Sequence, residues 1–135
     1  MKKMIFAFAV LAGLSAQAQT APKDIISCVV PVQNGTPTVS INVSAQFESN
    51  ADFVMFTLKD KDTTTTLFSQ TEKGQVAEEL KNGGLSLLVL TESFAQENGV
   101  LKNAGFFAIG KNDDGTVGGI LSALGNVYPL SCQLK

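Results

Sequence analysis

Apolar and polar residues alternate without a break from residue 38 to 47. Val39, Ile41, Val43, Ala45 and Phe47 fall on one side, and Thr38, Ser40, Asn42, Ser44 and Gln46 fall on the other. A period of two sustained over this length defines a strand with one dry and one wet face. Residues 25–32, 53–59, 63–70, 85–92, 103–110, 116–124 and 126–134 carry strand signals of the same kind. Between them lie Asn34 with Gly35, the run Asp60, Lys61 and Asp62, the run Asn82, Gly83 and Gly84, Asn98 with Gly99, residues 112–115, and Gly125 with Asn126. These are turn residues, several of them able to adopt positive φ. The first two strands are expected to form a hairpin about a tight turn at Asn34 and Gly35.

The pattern predicts an all-β chain, a small antiparallel meander of about eight strands. A meander with an even number of strands sets its first and last strands antiparallel, so that they can pair and close a β-barrel; a β-sandwich is the alternative. One segment stays ambiguous. Val76 and Leu80, within residues 75–81, are spaced for a helix yet also share one face of a strand, which would be a ninth.

The N-terminus follows a different rule. Lys2 and Lys3 precede an apolar run over residues 4–14, and Ala16-Gln17-Ala18 offers a small-residue exit. That three-part pattern reads as a secretory signal peptide over residues 1–18, and the run is shorter than the roughly 20 apolar residues that span a bilayer. The expected product is a single domain over residues 19–135, exported by a bacterial-type route to the periplasm or beyond the cell.

Export makes the two cysteines informative. Cys28 and Cys132 sit near opposite ends of the domain, in the first and last predicted strands, and each shares the parity of apolar neighbours. They are expected to form one inward-facing disulfide joining those strands. In a chain-entropy model, closing a loop of about 100 residues contributes roughly 4.7 kcal/mol.

Charge and composition narrow the function classes. Without the leader, eight Lys stand against twelve acidic residues, a net charge of about −4, and the chain has no Arg. Nucleic acid is therefore not an expected partner, since phosphate recognition wants a basic, Arg-bearing face. With no His in the sequence, Ser-His and Cys-His arrangements are impossible. Ser86 and Ser131 could serve a Ser-Lys chemistry, but no local motif singles out either. Glu78 with Glu79 and Asp113 with Asp114 are the available carboxylate pairs, and the second suits a hairpin turn equally well. Residues 112–116 lack the ligand spacing of a calcium loop. Two Cys without His make a poor metal set, and no cofactor is expected. Residues 63–66, four threonines in a row, read as a surface strand. Stable membrane insertion as an outer-membrane barrel is not expected, because aromatic girdles are missing and residues 87–90 are apolar on both faces.

What remains is an exported, non-enzymatic binding protein that docks a protein partner or holds a small molecule. A secreted hydrolase without a His base and a structural subunit of a surface assembly are the alternatives. Residues 93–103 form the longest stretch without a strand assignment, and binding usually resides in loops carried on rigid β scaffolds. Phe94, Gln96, Glu97, Asn98, Val100 and Leu101 are the candidate partner-binding residues.

Overall fold

Alternating β-branched and aromatic residues become eight strands in the computed structural model, which describes residues 21–98 and 100–135, with the backbone alone for 92–97 and 100–103. The leader assigned to residues 1–18 lies outside the described residues. The strands are β1 (Lys23–Val29), β2 (Val39–Phe47), β3 (Ala51–Asp60), β4 (Thr63–Glu72), β5 (Leu85–Glu97), β6 (Val100–Lys111), β7 (Val117–Ala123) and β8 (Asn126–Leu134). Each pairs with its chain neighbour, and β8 returns to β1, so the sheet is a closed antiparallel barrel. The ambiguous segment is a helix, α1 (Gln75–Lys81), set between β4 and β5.

Alternation decides what fills the barrel. Ile41, Val43 and Ala45 of β2, Val54, Phe56 and Leu58 of β3, and Leu85, Leu87 and Val89 of β5 point inward and are buried. The rings of Phe56 on β3 and Phe107 on β6, strands that do not pair with each other, have centroids 5.0 Å apart. Side chains of non-neighbouring strands therefore meet across the interior, which is a packed apolar core.

The eight seams are unequal. β3 and β4 share ten register pairs and β1 and β8 share four, while among the described residues β4 meets β5 at Phe68 and Leu90. Each short seam has a separate reinforcement. Cys28 and Cys132 face each other across β1 and β8 with Cα atoms 4.0 Å apart, and their disulfide fastens that seam from inside, where both are buried. At the β4–β5 seam the reinforcement is α1, whose Val76 is fully buried and whose Leu80 packs on the core.

Two connections differ from the expected ones. β1 ends at Val29 and β2 begins at Val39, so residues 30–38 form a long connection instead of a tight turn. Pro31 and Pro37 explain it, since neither can donate to a ladder. Only the Val30 N–H to Val39 carbonyl bond, 3.0 Å, closes the base. Residues 93–103 are not irregular either: β5 runs to Glu97 and β6 starts at Val100, making a hairpin that turns at Asn98, φ 52°. The Asn98-Gly99 pair is a two-residue hairpin signal, and it carries the strands further than the turn-rich composition suggested.

Glycine is required where β6 and β7 approach most closely. A Cβ on Gly119 would stand 1.9 Å from the Ala108 carbonyl oxygen and 2.7 Å from the Ile109 Cα, both of them backbone atoms. Neither can rotate away. Gly119→Ala is expected to destabilise the barrel by about 1–3 kcal/mol, in the manner of overpacking, as measured by the urea unfolding midpoint at unchanged m.

Candidate functional site

An eight-stranded barrel of this width can hide only one face of each strand, so consecutive apolar residues must leave some on the outside. Four strands carry such runs. Phe53 and Met55 of β3, Phe68 of β4, Leu88 of β5 and Phe106 of β6 are each between 38% and 49% exposed. The register makes them continuous: Met55 faces Phe68, Phe68 faces Leu90, and Leu88 faces Phe106. Phe53 lies one outward position below Met55, and Leu88 and Leu90 are likewise successive outward residues of β5. Thr57, Thr66, Gln70, Ser86, Ala104 and Ala108 surround the run by the same alternation, so the middle of this wall carries no charge among its described residues. Lys59 and Glu72 stand near the strand ends.

With each of the five side chains about two-fifths exposed, the apolar area is roughly 400 Å², within the range of the largest patches on monomers. A groove of about 260 Å³ adjoins it where the chain enters β1. Pro22, Ser44, Gln46, Phe53, Met55, Phe68 and Ser69 contribute to its lining, which holds no Lys, Asp or Glu. Ser44 and Gln46, from the uncharged stripe of β2, thus belong to this groove.

A polar network ties α1 across the seam beneath the wall. Thr71 Oγ1 of β4 donates to Gln75 Oε1. Gln75 Nε2 donates to Glu79 Oε2 at 2.6 Å, and Ser86 N–H of β5 donates to Glu79 Oε1 at 2.8 Å. Asp52, 0% exposed at the start of β3, accepts the backbone N–H groups of Gly74 and Val76 on Oδ2 at 3.1 and 3.2 Å. It satisfies donors that the first turn of a helix leaves free. Its Oδ1 is buried without a partner. Asp52→Ala is expected to cost about 1–2 kcal/mol, with the loss concentrated in faster amide exchange over residues 75–81.

The remaining sequence candidates do not converge. Ser86 and Ser131 are exposed on β5 and β8, Glu78 and Glu79 lie on α1, and the four threonines open β4. Asn98 is exposed at the hairpin tip. Phe94, Gln96, Glu97, Val100 and Leu101 lie on the hairpin arms, where backbone alone is described, and the register pairs Gln96 with Leu101 and Glu97 with Val100. Among the described residues no group of three His, Cys, Asp or Glu side chains is placed to hold a metal ion. No described helix is long and apolar enough to cross a membrane.

Residues 112–116 close on themselves. Asp114 Oδ1 accepts the Thr116 hydroxyl at 2.6 Å and the Thr116 N–H at 3.0 Å, while Asn112 Nδ2 donates to Thr116 Oγ1 at 2.9 Å. The hydroxyl first, then the amide, hold the Asp114 carboxyl below its ordinary value of 3.8. A depressed carboxylate supports the turn above that ordinary value and loses its contribution as pH falls through the lowered one. Thr116→Ala is expected to move the Asp114 midpoint upward in a carbon-detected NMR titration.

Compared with protein-family models, curated proteins and solved structures, the chain matches none of them.

Proposed function

We propose that the domain is an exported, non-catalytic binding protein that docks a partner protein on the outer wall of β3–β6. The single observation behind this reading is the uncharged apolar run from Phe53 through Met55, Phe68 and Leu88 to Phe106. A patch of this size is the largest an ordinary monomer carries, and the largest patch of a monomer is often its functional one. The interior offers no comparable opportunity, because Phe56 and Phe107 meet inside it. A hydrolase without His would need a base beside a nucleophile, and the groove lining has serines but no Lys or carboxylate. A small apolar molecule in the 260 Å³ groove is the second reading, favoured by that same uncharged lining.

The test is comparative capture with the oxidised mature domain, followed by mass spectrometry of bound proteins and small molecules. Phe68→Ser and Leu88→Ser change exposed positions and leave the core intact. The proposal expects the protein partner held by the wild-type domain to be lost from both variants. Retention of every partner by both would overturn it.

A further inference from the structure

At the β2 side of the outer wall the surface drops into a groove deep enough to shield a polar side chain. Its floor is built by register: Ser44 and Gln46 of β2 face Met55 and Phe53 of β3, and Met55 faces Phe68 of β4. Pro22 joins the lining because the next residue, Lys23, pairs with Ala45. Alternation turns Ser44 outward, away from its inward neighbours Val43 and Ala45, yet it is only 8% exposed, so it lies low in the depression. Gln46 commits its Nε2 to Glu48 Oε2 at 2.8 Å, which leaves its Oε1 as the acceptor it offers the groove.

Four properties of the groove specify its occupant. Its volume, about 260 Å³, is below the roughly 300–1,000 Å³ that encloses a whole drug-sized ligand, and suits one large side chain. Phe53, Phe68 and Met55 supply aromatic rings and a thioether, a lining that favours another aromatic ring. With no Lys, Asp or Glu in the lining, a charged group would be desolvated here without a counter-ion. Gln46 Oε1 and the Ser44 hydroxyl can each accept a hydrogen bond, and a purely apolar occupant would cover them unpaired. An apolar aromatic ring bearing one donor satisfies all four conditions. Among side chains that means tyrosine or tryptophan, two of the residue types most enriched at interface hot spots.

This chain cannot supply such a ring to its own groove. It has no Trp and one Tyr, Tyr128, which packs against the core of its own barrel. Residues 1–20 carry neither. A second copy and the chain's own N-terminal segment are therefore the wrong occupants, and the ring belongs to a different protein.

We infer that this groove seats one tyrosine or tryptophan side chain of the partner protein, its ring against Phe53, Met55 and Phe68 and its O–H or N–H donated to Gln46 Oε1 or to the Ser44 hydroxyl. The inference rests on the outer-wall reading and specifies the partner's anchor, with the rest of the partner extending along the wall toward Leu88 and Phe106.

Amide NMR titrations of the oxidised domain test the inference with N-acetylated amino-acid amides, which present one side chain and no terminal charge. Ligands this small bind weakly, so they are added to about 10 mM. The tyrosine and tryptophan amides should shift the signals of residues 44–46, 53–55 and 68. The phenylalanine amide should shift the same signals with about fivefold weaker affinity than the tyrosine amide, since it lacks the donor, and the lysine amide should not shift them. In the double variant Ser44→Ala with Gln46→Leu, whose spectrum away from the groove should stay native, the tyrosine amide should bind no more tightly than the phenylalanine amide. Absence of these shifts with the tyrosine amide would overturn the inference. So would phenylalanine binding as tightly as tyrosine in the unchanged domain, shifts caused by the lysine amide, or a tyrosine preference that survives in the double variant. If the preference is absent while Leu88→Ser, which lies outside the groove, abolishes capture of the partner, docking on the wall stands and the anchor falls. If the preference holds, and capture survives Leu88→Ser but is lost in the double variant, the anchor stands and the extended wall falls. A captured small molecule that displaces the tyrosine amide from these residues would make the groove a ligand site and contradict the inference.

Discussion

Phe107→Ala should lower the unfolding free energy by about 3–5 kcal/mol, the largest single-residue loss expected anywhere in the chain. Phe107 is fully buried, with Leu87 and Leu121 as its register partners on the two adjacent strands. Its ring also touches that of Phe56 on β3, tilted by 53°. Truncation would remove the transfer free energy of one aromatic ring, leave a void in the middle of a closed barrel, and break an aromatic pair worth about 0.5–1.5 kcal/mol more. A barrel cannot collapse around such a void without shortening its circumference, so relaxation should recover little. Phe56→Ala should behave alike. The double variant should lose less than the sum of the two single losses, because the pair is broken only once. Denaturant unfolding at constant m would measure all three.

Removal of the Cys28–Cys132 bridge is the second large effect. Reduction, or the paired substitution Cys28→Ser with Cys132→Ser, should cost about 2–5 kcal/mol, and on the scaling for domains near this size roughly 10–20 °C in Tm. The chain-entropy share arises in the unfolded state. A native-state share should add to it, because β1 and β8 are held by only four register pairs besides the covalent link. The loss should therefore show a spatial signature. Amides of β1 and β8 should exchange faster in the reduced protein before those of β2 and β3 change, since β2–β3 carries nine register pairs of its own.

Much of the barrel was legible in the sequence for identifiable reasons. The unbroken alternation of residues 38–47 specified β2 and its inward face, and the eight strand segments with their parity placed both cysteines inside adjacent terminal strands. The helix α1 was not legible, because Val76 and Leu80 fit either period. What selects the helix is tertiary: Asp52, far away in the chain, takes up the N–H groups of Gly74 and Val76. The long β1–β2 connection was obscured by the turn signal at Asn34 and Gly35, although Pro31 and Pro37 carried the contrary information.

The outer wall was missed, and here the signal was present. Residues 87–90 are apolar at every position, yet a strand in a closed barrel has only one inner face, and Leu88 is 49% exposed. The same holds for Phe106 beside Phe107 and for Phe53 and Met55 flanking Val54. Runs without alternation in a barrel point to an exterior that is itself apolar.

That the barrel is sealed at β1–β8 and solid inside is the structural basis of the proposal that binding lies on the outer wall. One nuclear Overhauser spectrum of the oxidised domain over residues 19–135 tests both parts together. The expected result is a cross-strand contact between the Hα protons of Cys28 and Cys132 and ring-to-ring contacts between Phe56 and Phe107. Separated rings lining an open lumen, or terminal strands without that cross-strand contact, would contradict the account.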